Sequence, residues 1–204
     1  MNKLITITNK FICVLVLLAT SLNSQALLVT IPAANTAGTG GGTIEYRKPL
    51  GAYWGYERTA LIYTPAEIGT TGNITSIGFY VDALLSPAAS TPVTIYIKEV
   101  VSPTFAATTT VAAEETGATQ VFNGTVASAQ LTVGAWTTIN LTTPFTYTGG
   151  NNLEVIIETN GGGTGIEGLD AKQFRYSSTV GNTMQYWQAD NTAPTGTGTI
   201  GTYR

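Results

Sequence analysis

The stretch from Ala135 to Thr159, AWTTINLTTPFTYTGGNNLEVIIET, constrains the fold more than any other part of the chain. Trp136 to Thr142 is rich in aromatic and β-branched residues, which suit a pleated, half-buried surface. Trp136 itself is expected to pack in the interior. Pro144 is expected to end this strand, because proline cannot donate to a ladder hydrogen bond. Gly149-Gly150-Asn151-Asn152 supplies the backbone freedom of a turn. Leu153, Val155 and Ile157 then alternate with Glu154, Ile156 and Glu158, giving one apolar face and one mixed face. Two strands and a corner of this kind predict a β-sandwich.

The rest of the chain repeats the theme. Strands are expected over 43–48, 57–63, 73–81, 92–101, 119–126, 173–177 and 183–188, with a further one starting at Ile200. Ile77, Phe79 and Val81 face one way, and Ser76, Gly78 and Tyr80 the other. Val93, Ile95 and Ile97 share a face. Thr64-Pro65-Ala66-Glu67-Ile68 predicts one helical turn, with Thr64 as N-cap, proline at the first position and Glu67 closing a capping box. Ser102 to Gly117 is expected as an exposed connection. Eight to ten short strands at roughly ten-residue spacing predict an all-β, antiparallel sandwich.

The N-terminus reads differently. Lys3 and Lys10 precede or flank the apolar run Phe11 to Ala19, and Ser24-Gln25-Ala26 places small residues where a signal peptidase cuts. Residues 1–26 are therefore expected to be a secretory signal peptide, too short in its apolar core to span ~30 Å of hydrocarbon. No stable membrane insertion is expected after its cleavage. Residues 27–42 form a small, Gly-rich flexible leader, and 43–204 the sandwich domain. The protein is expected to be secreted, extracellular or on the outer cell surface.

Composition then excludes chemistry. Cys13, the one cysteine, lies in the signal peptide, and the chain has no histidine. Disulfides, Cys/His zinc sites, a Ser-His-Asp triad and a thiol nucleophile are excluded. Without the signal, seven basic residues face twelve acids, a net charge of −5. That balance disfavours nucleic acid and anionic membrane surfaces as partners.

A resemblance appears in the order of the pieces. TALIYTPAEIG (Thr59 to Gly69), ITSIGFY (Ile74 to Tyr80), VTIYIKEV (Val93 to Val100), QVFNGTV (Gln120 to Val126), Ala135 to Glu158 and TGTIGTYR (Thr197 to Arg204) together resemble a β-sandwich module. Such modules recur in secreted, multidomain surface proteins of Bacteroidetes-type bacteria, associated with type IX secretion. The resemblance implies a jelly-roll-like sandwich used for adhesion, carbohydrate contact or spacing, and no catalytic residues. It also implies a last strand beyond Arg204, so the chain is expected to be a piece of a longer protein with further domains.

Candidate sites follow. Glycoside hydrolysis needs two carboxyl groups ~5 Å apart or somewhat wider. Glu154 and Glu158 stand roughly 13 Å apart along a strand, and Glu114 and Glu115 point to opposite faces if extended. A long-range pair such as Glu57 with Asp170 stays open. Solvated surface charge is the ordinary reading of these acids. Glu167, Asp170, Asp190 and Asn191 are oxygen donors near loops, but without EF-hand spacing they predict loop polarity and no metal. Tyr53, Trp54 and Tyr56, with Tyr186 and Trp187, are the candidate ligand-binding residues, since exposed rings can stack on sugars. Core packing is the competing role, and only one of Tyr186 and Trp187 should reach the core. No cofactor and no enzymatic activity are expected. The function expected is a non-catalytic binding or adhesion module touching a glycan or a surface protein. The alternatives are a purely structural spacer, or an accessory domain of a polysaccharide- or peptide-active enzyme.

Overall fold

A computed structural model of the chain describes residues 27–32, 47–84, 89–165 and 172–204. The predicted signal peptide, most of the leader and most of the expected 43–48 strand lie outside the described residues. So do Glu167 and Asp170.

Nine strands are present among the described residues: β1 (Tyr56–Tyr63), β2 (Gly72–Leu84), β3 (Thr91–Val100), β4 (Thr119–Val126), β5 (Trp136–Tyr147), β6 (Asn152–Asn160), β7 (Lys172–Phe174), β8 (Met184–Ala189) and β9 (Thr199–Gly201). They form two antiparallel sheets, one ordered β4-β3-β6-β1-β8-β9 and the other β5-β2-β7. The protein is thus an all-β sandwich. The chain crosses between the sheets at six of its eight strand-to-strand steps, as jelly-roll chains do.

Alternation sorts the side chains. Leu61, Val93, Ile95, Ile97, Leu153, Val155, Ile157 and Met184 from the large sheet meet Val81, Ile139, Tyr147 and Phe174 from the small one. Each is almost fully buried. Burying a side chain of this size contributes about 1.5–3 kcal/mol, which is the stabilisation available to a fold without disulfides.

Six strands against three leave part of the large sheet's inner face without a facing strand. Lys48–Ala52 covers some of it, with Leu50 and Ala52 buried. Lys48 donates to Glu57 (2.9 Å) and Gln188 (3.2 Å), both inward-facing. The segment after β7 covers more: Ser177 and Arg204 exchange backbone hydrogen bonds (2.8 and 3.0 Å).

The predicted helical turn forms as α1 (Pro65–Ile68). Glu67 accepts from both the backbone N–H (2.9 Å) and the hydroxyl (2.8 Å) of Thr64. Gly69 ends the turn at φ 67°, donating to the Pro65 carbonyl.

Two expectations are corrected. β5 does not stop at Pro144. Ile74 pairs with Phe145 and Ser76 with Asn140, so Leu141 to Pro144 bulge opposite the single residue Thr75. A proline inside a bulge owes no ladder bond. The 102–117 connection is not merely exposed. It lies over the outer face of the large sheet and contains α2 (Val111–Glu115), N-capped by Thr110. Phe105 and Val111 bury against Ala60, Ile62, Ile156 and Trp187. The mixed face of β6 is therefore covered, and a third layer exists on one side.

Candidate functional site

Among the described residues, most of the small sheet's outer face is uncovered, with Ile31 and Pro32 near Gly78, Tyr80 and Trp136. β2 and β5 pair Tyr80 with Trp136, Gly78 with Thr138 and Ser76 with Asn140. The inward partners Ile77, Phe79 and Ile139 consign these six residues to the opposite side. Trp136, the first residue of the edge strand β5, is 45% exposed. Tyr80 packs edge-on against it, with centroids 5.7 Å apart and planes at 84°. Arg175, just past β7, lays its guanidinium 4.2 Å over the Tyr80 ring. Arg175, Tyr80 and Trp136 thus form a continuous row, flanked by Ser76, Thr138 and Asn140.

Beside this row, where β7 ends, a cleft of about 60 Å³ opens between the sheets. Leu61, Phe79 and Met184 line it with Tyr63, Tyr80, Trp136, Arg175 and Arg204, and Ile31 and Pro32 of the N-terminal segment close one side. Arg204 lies 5.0 Å from the Tyr63 centroid and donates to Glu67 and to the Ile62 carbonyl (2.9 Å). Burial pushes the Tyr63 hydroxyl up to about 12, against the opposing pull of Arg204, so it stays a neutral donor. Arg175 is held by Asp82 at 2.9 Å.

The residues expected to bind a ligand lie elsewhere. Tyr53 and Trp54 meet edge-to-face at 5.7 Å in a half-buried loop. Arg47 stacks on Tyr53 at 3.9 Å. Tyr56 begins β1 beside them. Gly55 ties this loop to its neighbours, donating to Asp190 (3.0 Å) and accepting from Gly162 (2.7 Å). Tyr186 and Trp187 are both largely buried, at 8% and 3% exposure, and line a separate cavity of about 320 Å³ with Gln188, Pro194 and Thr197. They do face opposite ways, but the cover supplied by the 102–117 connection gives the sheet a core on each side. Tyr186 enters the core between the sheets and Trp187 the outer one. Trp187 Nε1 donates to the Thr109 carbonyl at 3.0 Å.

Trp136 is corrected in the other direction: expected inside, it stands outside. The sequence carries the signal. Ile139 and Leu141 point inward, so Trp136 has the opposite parity. Tyr80 is likewise on the polar side of its strand.

The acids are also rearranged. Glu57, Glu114 and Glu154 are buried and not solvated. Glu114 and Glu154 converge on Lys98, while Arg58 pairs with Glu158. These groups lie beneath and beside α2, where ion pairs and hydrogen bonds of the fold engage them. Of the loop oxygen donors, Asp190 is engaged by Gly55, and Asn191 sits at φ 61° with its N–H on Gly163. Among the described residues, no three Asp, Glu, His or Cys side chains gather as metal donors. No helix of the described residues is long and apolar enough to cross a membrane.

The chain matches no protein-family model, no curated protein and no solved structure.

Proposed function

We propose that this protein is a non-catalytic binding module, exported to the cell surface, that holds a glycan on the open face of its small sheet. The observation that carries the reading is the exposure of Trp136, braced edge-on by Tyr80. Leaving a tryptophan on a solvated sheet face forgoes its burial energy, and a bracing ring fixes its orientation. A flat, oriented aromatic surface suits the apolar C–H face of a sugar ring. Ser76, Thr138 and Asn140 supply hydroxyl and amide groups alongside for hydrogen bonds to sugar hydroxyls. A spacer without a ligand has no use for such a cluster.

One site of this size binds weakly, and repetition along a larger surface protein would raise avidity. This fits the resemblance to modules of bacterial surface proteins. Calorimetry against a panel of soluble polysaccharides tests the proposal. Binding to at least one, reduced at least tenfold by Trp136→Ala and left unchanged by Trp54→Phe, is the expected result. A panel without any binding, or binding indifferent to Trp136, overturns it.

A further inference from the structure

We infer that Lys48 and Gln188 are the two halves of an intramolecular amide cross-link, which the folded protein makes for itself with Glu57 as the acid–base group. The Lys48 amine replaces the amide nitrogen of Gln188, and ammonia leaves.

The three side chains meet where a covering segment crosses two paired strands. Glu57 on β1 and Gln188 on β8 are register partners, and both point into the sandwich, as Leu61 and Tyr186 do. Lys48, from the covering segment, reaches both. Its Nζ lies 2.9 Å from Glu57 Oε1 and 3.2 Å from Gln188 Oε1. The carbonyl carbon of Gln188 is one bond beyond that oxygen. Lys48 is 4% exposed and Glu57 1%. The Tyr186 ring centroid lies 5.3 Å from Lys48 Nζ. Gly51 lets the segment come this close, since an added Cβ would meet Glu57 Oε2 at 2.3 Å. Lys172, the other buried lysine facing Glu57, is engaged by the Thr91 hydroxyl, so Lys48 is the amine presented to Gln188.

Burial makes the amine reactive. An ammonium has no lone pair to attack with, and a buried ion pair is costly to keep charged. Burial pulls Lys48 below its ordinary value against the charge of Glu57, and Arg47 adds to the pull. Glu57 takes the proton and frees Nζ, which attacks Cδ of Gln188. Glu57 then protonates the departing nitrogen and takes a second proton from Nζ. The Nζ–Cδ bond stays, the carboxamide C–N bond breaks, and ammonia carries off the remaining proton as ammonium. One ammonium and one carboxamide have become one secondary amide and one free ammonium, with no change of oxidation state. A carboxamide is a poor electrophile, but fixed neighbours react with effective molarities on the order of 10⁵–10⁸ M.

The product is favoured twice over. A neutral amide replaces a buried ion pair, and Gln188 also lines the open cavity of about 320 Å³, through which ammonia escapes. The link joins residues 140 positions apart, enclosing β1 to β7 in a chain whose one cysteine cannot supply a disulfide.

Intact-mass measurement and peptide mapping of the purified full chain test this. The native mass should fall short of the sequence by one ammonia, and a digest should hold the Lys48 and Gln188 peptides joined. Lys48→Arg, which keeps the charge opposite Glu57 but removes the amine, should restore the full mass, as should Gln188→Met and Glu57→Gln. Circular dichroism checks that each variant folds, and the joined peptide of the native chain decides where one does not. Recovery of Lys48 and Gln188 in separate peptides at full mass overturns the proposal. So does an ammonia loss that persists in Lys48→Arg, which marks cyclisation of an asparagine such as Asn160 onto the next residue. Loss of a water, with Lys48 joined to Glu57, overturns Gln188 as the acyl partner.

Discussion

Glu114 on α2 and Glu154 on β6 share one ammonium: Lys98 Nζ lies 3.3 Å from a carboxylate oxygen of each. Burial, then a hydrogen bond to Glu114 and its charge, push Glu154 up to about 8, against Lys98. Burial alone would raise Glu114, but hydrogen bonds with Thr109, Glu154 and Lys98 bring it below its ordinary value. The pair thus holds a proton on Glu154. Beside it, burial and then Glu158 raise Glu115 to about 7. The contact between helix and sheet therefore includes an acid, Glu154, that keeps its proton at neutral pH.

Stability should consequently fall as pH rises. An acid with a raised folded value binds more protons folded than unfolded, so unfolding releases them. The loss begins near the ordinary value of 4.5 and is complete above about 8 for Glu154 and about 7 for Glu115. Lys172, lowered to about 8 by burial, acts oppositely, adding stability from about pH 8 up to its ordinary 10.5. Melting temperature against pH checks this. Glu154→Gln should flatten the fall between pH 5 and 8.

Lys98→Met should destabilise by about 3–5 kcal/mol at neutral pH, because the ionised Glu114 loses its cation. Combining it with Glu114→Gln, which removes the carboxylate left charged, should recover at least half of that loss. Urea unfolding of the four proteins gives the coupling, and additive effects would contradict the shared-ammonium geometry.

The two tryptophans should behave as opposites. Trp187→Ala opens a cavity in the outer core and strips the Thr109 carbonyl of a donor, costing about 3–5 kcal/mol. Trp136→Ala, on an open face, should cost less than about 1 kcal/mol. Denaturant midpoints measure both.

Gly55→Ala should destabilise by roughly 1–3 kcal/mol, since an added Cβ would meet the Gly163 carbonyl oxygen at 2.1 Å. The 50–56 loop would then part from 161–165. Proteolysis within either loop should accelerate, as read by mass spectrometry of the fragments.

Much of the fold is legible in the amino-acid sequence. The inward sets Ile77–Phe79–Val81, Val93–Ile95–Ile97 and Leu153–Val155–Ile157 are all core, because strand periodicity is a local property of the chain. The capping box around Thr64 is equally local. Half of the candidate site is also present as parity, since Tyr80 and Trp136 occupy outward positions. That the two are neighbours depends on register between strands more than fifty residues apart.

Alternation along β6 and β8 determined which residues leave the inner core, and tertiary structure alone decided what awaits them outside. On one sheet the 102–117 connection covers that surface, so Trp187 and Glu154 are buried; on the other, Ile31 and Pro32 alone among the described residues of the N-terminal segment come near it, and Trp136 meets solvent. The reason is that a strand's pattern encodes which way a side chain points, whereas burial depends on whether a distant segment arrives to cover it. The arginine cleft has the same origin: it exists because three strands cannot span six, a mismatch that no single strand records.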